Sequence, residues 1–167
     1  MNLTRLMSVE RINLYLTPPE EPPDNPELNL EKWKQKQKEK YLAEFVALLD
    51  KDNIVLHTRK LHTDFVNRER QASTALVNGI AVPHVRSRYI REPVIGFARS
   101  VEGIEFDSMD SGLSHLFFII ATPAKAGDLH LKIYKQIASM FHFDGIYDQF
   151  MWTENPGEIM RLVRQFD

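Results

Sequence analysis

The stretch HLFFIIA, residues 115–121, decides how the rest of the chain is read. After its leading histidine it is continuously apolar, without alternation, so a strand built from it needs cover on both faces. It reads as the centre of a sheet. Before it, PVIGFARS (93–100) and LVNGIAV (76–82, containing a glycine) read as further strands, and RINLYL (11–16) alternates apolar and polar residues as a short first strand. Helical patterns lie between and after these. One starts at Asn29 with an Asn-Leu-Glu opening and carries Trp33, Tyr41, Leu42, Phe45, Val46, Leu48 and Leu49 at mostly helical spacings, with KQKQKEK (34–40) assigned to its solvent face. A second covers about Thr58 to Glu69. A third follows Asp128, with Leu129, Ile133, Ile137, Met140 and Phe141 on one stripe, and Asn155-Pro156 opens a last one through Leu162.

This order of strand, helices, strands and helices predicts an α/β fold: a single layered domain with a central mixed β-sheet covered by helices on both faces. Residues 1–29 form an N-terminal strand and a proline-rich loop, TPPEEPPDNPE, whose prolines remove N–H donors and disfavour helix in their predecessors. Residues 30–167 form the domain proper, with the strand at 11–16 expected in the same sheet.

Composition narrows the function. With 167 residues, 43% of them hydrophobic, the chain is long enough for one substantial core and short for two. A formal net charge of -2 supplies no basic field for nucleic acid or an anionic membrane surface. The absence of cysteine excludes a disulfide scaffold, thiolate metal sites and cysteine nucleophiles. No apolar stretch approaches the ~20 residues of a membrane helix, and the first residues carry charges where a signal peptide has its apolar core. The expected setting is the cytoplasm, without membrane insertion.

Within STALVNGIAVPHVRSR (73–88), His84 follows Pro83 at the end of an apolar run and precedes Arg86 and Arg88. An isolated histidine there reads readily as a neutral core residue. Yet Pro83 stiffens its approach, and Ser73, Thr74, Asn78 and the two arginines are potential donors to an anion, so the neighbourhood also suits a phosphate. Metal binding fits less well: His57 and His62 lie five apart, too far round a helix to converge, and no carboxylate-rich cluster accompanies His84. No metal or other cofactor is expected. No G-x-S-x-G elbow supports a hydrolase triad.

Four blocks in order, RERQASTALVNGIAVPH (68–84), GIEFDSMDSG (103–112), FFIIATP (117–123) and HLKIYKQIASMF (130–141), resemble the enzyme IIA domain of the fructose-mannitol type, including its nitrogen-regulatory members, of the bacterial phosphoenolpyruvate-dependent phosphotransferase system. The resemblance runs from about Lys40 to the C-terminus. It implies the mannitol-specific IIA-like fold and a phosphocarrier that accepts a phosphoryl group from phospho-HPr or a nitrogen-branch equivalent. His84 matches the phosphorylated histidine, His130 the second histidine, and Arg68, in the Arg68-Glu69 pair, the active-site arginine. Ser73 and Thr74 fall where phosphate-binding hydroxyls are expected.

The chemistry suits those roles. A neutral imidazole nitrogen is nucleophilic, and its phosphoramidate keeps a high transfer potential. Phosphoryl transfer needs positioning and charge stabilisation, which an arginine, hydroxyls and a helix N-terminus near His130 supply. The resemblance loosens at Val85, where glycine commonly follows the histidine, and at Ser111, which interrupts an aspartate-glycine pair. Two readings stay open: a transferase component handing phosphate to an enzyme IIB partner, or a regulatory module whose phosphorylation state selects what it binds. Lacking cysteine, the chain cannot contain the cysteine-phosphorylated IIB domain usual for this branch, so any acceptor is another protein.

Overall fold

A computed structural model describes all 167 residues. Its centre is the run quoted above. Strand β5 (Ser114–Pro123) holds Leu116, Phe118 and Ile120 in one apolar cluster and Phe117, Ile119 and Ala121 in another, all without solvent exposure. A strand with no polar face can stand only between two layers, and the fold provides both.

Beside β5 runs β4 (Val94–Ile104), antiparallel, with Phe97 opposite Phe118. On the outer side of β4 is β1 (Ile12–Asn13), parallel to it. The other edge of β5 carries two short strands in succession, β2 (Ile80–Ala81) and β3 (His84–Ser87), both parallel to β5 and separated by Val82 and Pro83. The sheet is therefore mixed, as expected.

One face is covered by α1 (Leu30–Leu49) and α2 (Thr58–Gln71), which contribute Leu42, Phe45, Leu49, Leu61 and Phe65 to the cluster of Phe117, Ile119 and Ala121. The opposite face is covered by α3 (Leu129–Met140), α4 (Ile146–Trp152) and α5 (Pro156–Arg164), through Ile133, Ile137, Phe150, Ile159 and Leu162. Two helix starts follow from local chemistry: Asn29 accepts from the Lys32 N–H, and Asn155 accepts from the Glu158 N–H ahead of Pro156. Asp128, expected to cap α3, occupies the cap position without a side-chain cap hydrogen bond. No helix is long and apolar enough to cross a membrane.

Several details differ from the sequence reading. The strand expected over 11–16 is reduced to Ile12–Asn13, because the Asn13 side chain accepts from the Tyr15 N–H and turns the chain; Leu16 still donates to the Arg99 carbonyl at 3.0 Å. The 76–82 strand survives only as β2, since Asn78 and Gly79 both have positive φ. A Cβ at Gly79 would lie 2.5 Å from the Tyr147 hydroxyl. Lys38 does not belong to a wet face: its side chain is 5% exposed and paired with Glu69. Helix α4 was not expected, and residues 17–27 lie exposed along the surface.

Candidate active site

Pro83 has no N–H to give to the ladder, but its carbonyl accepts from the Ile120 N–H at 2.8 Å, so the chain re-enters the sheet one residue later. His84 therefore begins β3 instead of ending a longer strand, with Ile120 as its register partner. It lies at the carboxyl-terminal half of β5, where the connection to α3 leaves the sheet.

His84 is 5% exposed. Its Nδ1 lies 2.7 Å from the Val82 carbonyl. A carbonyl only accepts, so Nδ1 carries the proton, and in the neutral ring Nε2 keeps its lone pair. That lone pair faces Arg68, whose Nη2 stands 3.5 Å from Nε2. Arg68 is in the last turn of α2, and its Nη1 donates to the Ala72 carbonyl at 2.9 Å, which holds the guanidinium against the helix end. From the first turn of α3, His130 brings its ring to 6.0 Å from that of His84 between centroids, and Tyr134, one turn on, packs on His84 at 5.1 Å. Residues 68, 84 and 130 thus meet from three separate elements.

Burial pushes the His84 pKa down, with Arg68 and His130 adding to the effect and the Val82 carbonyl opposing it. His130 is lowered by burial and then by Arg86, while the nearby Gly127 carbonyl opposes the shift. Its Nδ1 is buried without a hydrogen-bond partner. Both rings are held toward the neutral form, the nucleophilic state of an imidazole.

These groups border an open cleft of about 1010 Å³. Arg68, Arg86 and Arg88 line it together with Asp64 and Asp128, so cations outnumber carboxylates around His84. Asp64 accepts from Ser87 at 2.6 Å, and Arg68, Arg86 and Arg88 are the cationic donors facing an incoming anion. Val85 lines the cleft with its backbone in β3 and its side chain in the core.

Ser73, Thr74 and Asn78 do not line the cleft. Ser73 donates to the Phe106 carbonyl at 2.9 Å, the Thr74 hydroxyl donates to Glu69, and the Asn78 N–H donates to Asp110 at 2.9 Å. Their hydrogen bonds are spent on the fold beneath His84, because a turn with left-handed residues leaves backbone groups that only side chains can satisfy. The GIEFDSMDSG block is the other half of that clamp: Phe106, Asp107, Ser108 and Asp110 hold Ser73, Lys38, Leu76 and Asn78 in turn. Sequence reasoning missed Tyr134, Lys38 and the carboxylate of Glu69. The signal for Lys38 was its i, i+3 and i+4 spacing to Tyr41 and Leu42, which puts it on the apolar side of α1.

Comparison with known proteins gives the chain a family and a fold. The family described as "Phosphoenolpyruvate-dependent sugar phosphotransferase system, EIIA 2" matches residues 27–166. The chain is 40% identical over 100 residues to a "PTS system fructose-specific EIIA component" of Haloferax volcanii, covering 60% of this chain and 65% of that protein. It is 31% identical over 124 residues to a fructose-specific EIIABC component of Bacillus subtilis, of which it spans only 20%. A "Nitrogen regulatory protein" of Pseudomonas aeruginosa is 27% identical over 124 residues, 74% of this chain and 80% of that protein. In fold, the chain is similar to the nitrogen regulatory protein IIA-Ntr of Neisseria meningitidis, with a TM-score of 0.77, 22% identity and coverage of 96% and 97% of the two chains. It is also similar to the mannitol IIA of Escherichia coli solved in complex with phosphorylated enzyme IIB, with a TM-score of 0.69, 16% identity and coverage of 96% and 99%.

Proposed function

The chain belongs to the EIIA 2 family of the phosphoenolpyruvate-dependent sugar phosphotransferase system, and from that premise we propose that it is a cytoplasmic histidine phosphocarrier, loaded on His84. One observation carries the assignment to His84: its Nδ1–H is tied to the Val82 carbonyl, which leaves the Nε2 lone pair facing Arg68 and the cleft.

The donor is a phosphohistidine on an HPr-like carrier protein. His84 Nε2 attacks the phosphorus, the N–P bond to the donor ring breaks, and that bond's electron pair returns to the donor imidazole. The ring of His84 gains positive charge as the new N–P bond forms, and the Val82 carbonyl stabilises it through Nδ1–H. Charge on the equatorial oxygens meets Arg68, with Arg86 at the rim. His130 orients the group without carrying it. Ser73 and Thr74 support the turn that holds His84. In the forward direction a nucleophilic side chain of an enzyme IIB protein attacks the phosphorus, the Nε2–P bond breaks, and its electron pair returns to the His84 ring. The nitrogen-regulatory relative, matched over most of its own length, favours a second reading in which loaded and unloaded forms bind different regulatory targets.

Incubation with phosphoenolpyruvate, enzyme I and an HPr-type carrier tests this, read by intact mass. A single acid-labile, base-stable phosphoryl group, lost in His84→Ala, is the expected result. Persistent labelling of His84→Ala overturns the assignment of His84. A native protein that no such carrier labels overturns the phosphocarrier reading.

A further inference from the structure

Glu69 is 5% exposed as a residue, and its side chain 1%. A carboxylate so buried needs compensation, and it has three partners. The Lys38 ammonium lies 2.9 Å from Oε2, the Thr74 N–H donates to Oε2 at 3.2 Å, and the Thr74 hydroxyl donates to Oε1. Lys38 is itself held by Asp107 at 3.0 Å and by the face of Phe106 at 4.5 Å.

From Thr74 the connection continues through backbone. The Thr74 carbonyl accepts from the Val82 N–H at 3.0 Å, and the Val82 carbonyl accepts from His84 Nδ1–H at 2.7 Å. Glu69 also directly follows Arg68, the other group that meets Nε2. Arg68 and His84 are therefore mounted on one anchor, at the end of α2 and through Thr74 and Val82.

We infer that the buried Lys38–Glu69 pair is a positioning device for phosphoryl transfer: through Thr74 and Val82 it keeps the proton of His84 on Nδ1, and through the end of α2 it sets Arg68 opposite the free Nε2. This rests on His84 being the phosphoryl acceptor. Neither residue touches the transferred group. The ion pair's work is orientation, since replacing such a pair with apolar side chains is often neutral for stability. Removing one partner strands a buried charge, whereas removing both does not.

The test uses the full chain and the double variant Lys38→Met with Glu69→Leu, with Thr74→Val as a second variant that keeps the ion pair and the side-chain size. Arg70→Ala, which removes a surface pair with Glu39, serves as the control. Nitrogen-15 NMR of the histidine rings reads the tautomer without any transfer chemistry. In the native protein and in Arg70→Ala, His84 shows a protonated Nδ1 and an unprotonated Nε2. In the double variant, folded by circular dichroism, the two nitrogens move toward each other as the second tautomer becomes populated. Loading by a phosphorylated HPr-type carrier slows about tenfold, the equivalent of about 1.4 kcal/mol. A native tautomer signature in the folded double variant overturns the inference, whatever its loading rate. If the double variant is unfolded, Thr74→Val, which leaves both charges paired and cuts the hydroxyl link from Glu69 toward Val82, decides the same question by the same signature. If the tautomer shifts in the variant while the native protein itself is loaded by no carrier, the pair still orients His84, but the phosphocarrier reading, and with it any role of the pair in transfer, is overturned.

Discussion

Replacing Arg68 with alanine isolates the electrostatic part of the proposed transfer. The guanidinium stands 3.5 Å from His84 Nε2, so a phosphoryl group arriving there has its equatorial oxygens within its reach. A full unit charge at about 4 Å, in an effective dielectric of about 20, is worth about 4 kcal/mol. Only part of a charge develops between ground and transition state, and the cleft is open to water. A third to a half of that figure, about 1.4 to 2 kcal/mol, is what Arg68→Ala should add to the barrier, a slowing of roughly 10- to 30-fold. Arg68→Lys should recover part of the loss, because an ammonium keeps the charge but lacks the paired donors that grip both the phosphoryl group and the Ala72 carbonyl. Folding should change little: a cation in the last turn of a helix contributes about 0.3 to 1 kcal/mol. The assay is single-turnover loading from phosphorylated carrier, with thermal unfolding alongside. Native loading rates in a folded Arg68→Ala would refute the role assigned to the guanidinium.

Three further outcomes are expected. His130→Ala should still accept phosphate at His84 but change the lifetime of the loaded form or its onward transfer, and separate rates for loading and unloading would show it; an unloadable variant contradicts an orienting role. Shortening the exposed loop between Thr17 and Leu28 should leave the loading rate near native, since none of its residues lines the cleft, and a large loss would place the loop in the carrier interface. Because burial lowers the pKa of His84 from its ordinary 6.5, the unfolded chain binds more protons than the folded one below that value. The contribution of His84 to stability is therefore complete above about 6.5 and is lost as pH falls through the folded value, while the nucleophilic neutral ring persists below 6.5. Urea midpoints measured across that window should fall more steeply for native protein than for His84→Gln; parallel curves would contradict the shift.

How much of this was legible in the sequence depends on the range of the interaction involved. The run at 115–121 announced a strand buried on both faces, because solvent exposure on either side would demand polar residues that it lacks, and the layered α/β architecture followed from that run and its flanking helical patterns. Asn29 and Asn155 announced their helices because a cap is a contact across three residues. Helix α4 escaped notice: seven residues after Gly145 carry too little periodicity to register, and it is the burial of Ile146 and Phe150 that holds it. The family blocks pointed to residues 68, 84 and 130, yet their meeting depends on how α2, β3 and α3 pack around the end of β5, which no local pattern encodes. Lys38 shows the limit most sharply. Its place in a run of lysines and glutamines reads as solvent face, and only Asp107, 69 residues away, and Glu69 make it a buried ion. Local propensity and hydrophobic period determined the elements and their layers; the pairing of distant charges, and the meeting of Arg68 and His130 at His84, were decided by tertiary structure, because a side chain's partners and orientation answer to neighbours in space that the order of residues does not reveal.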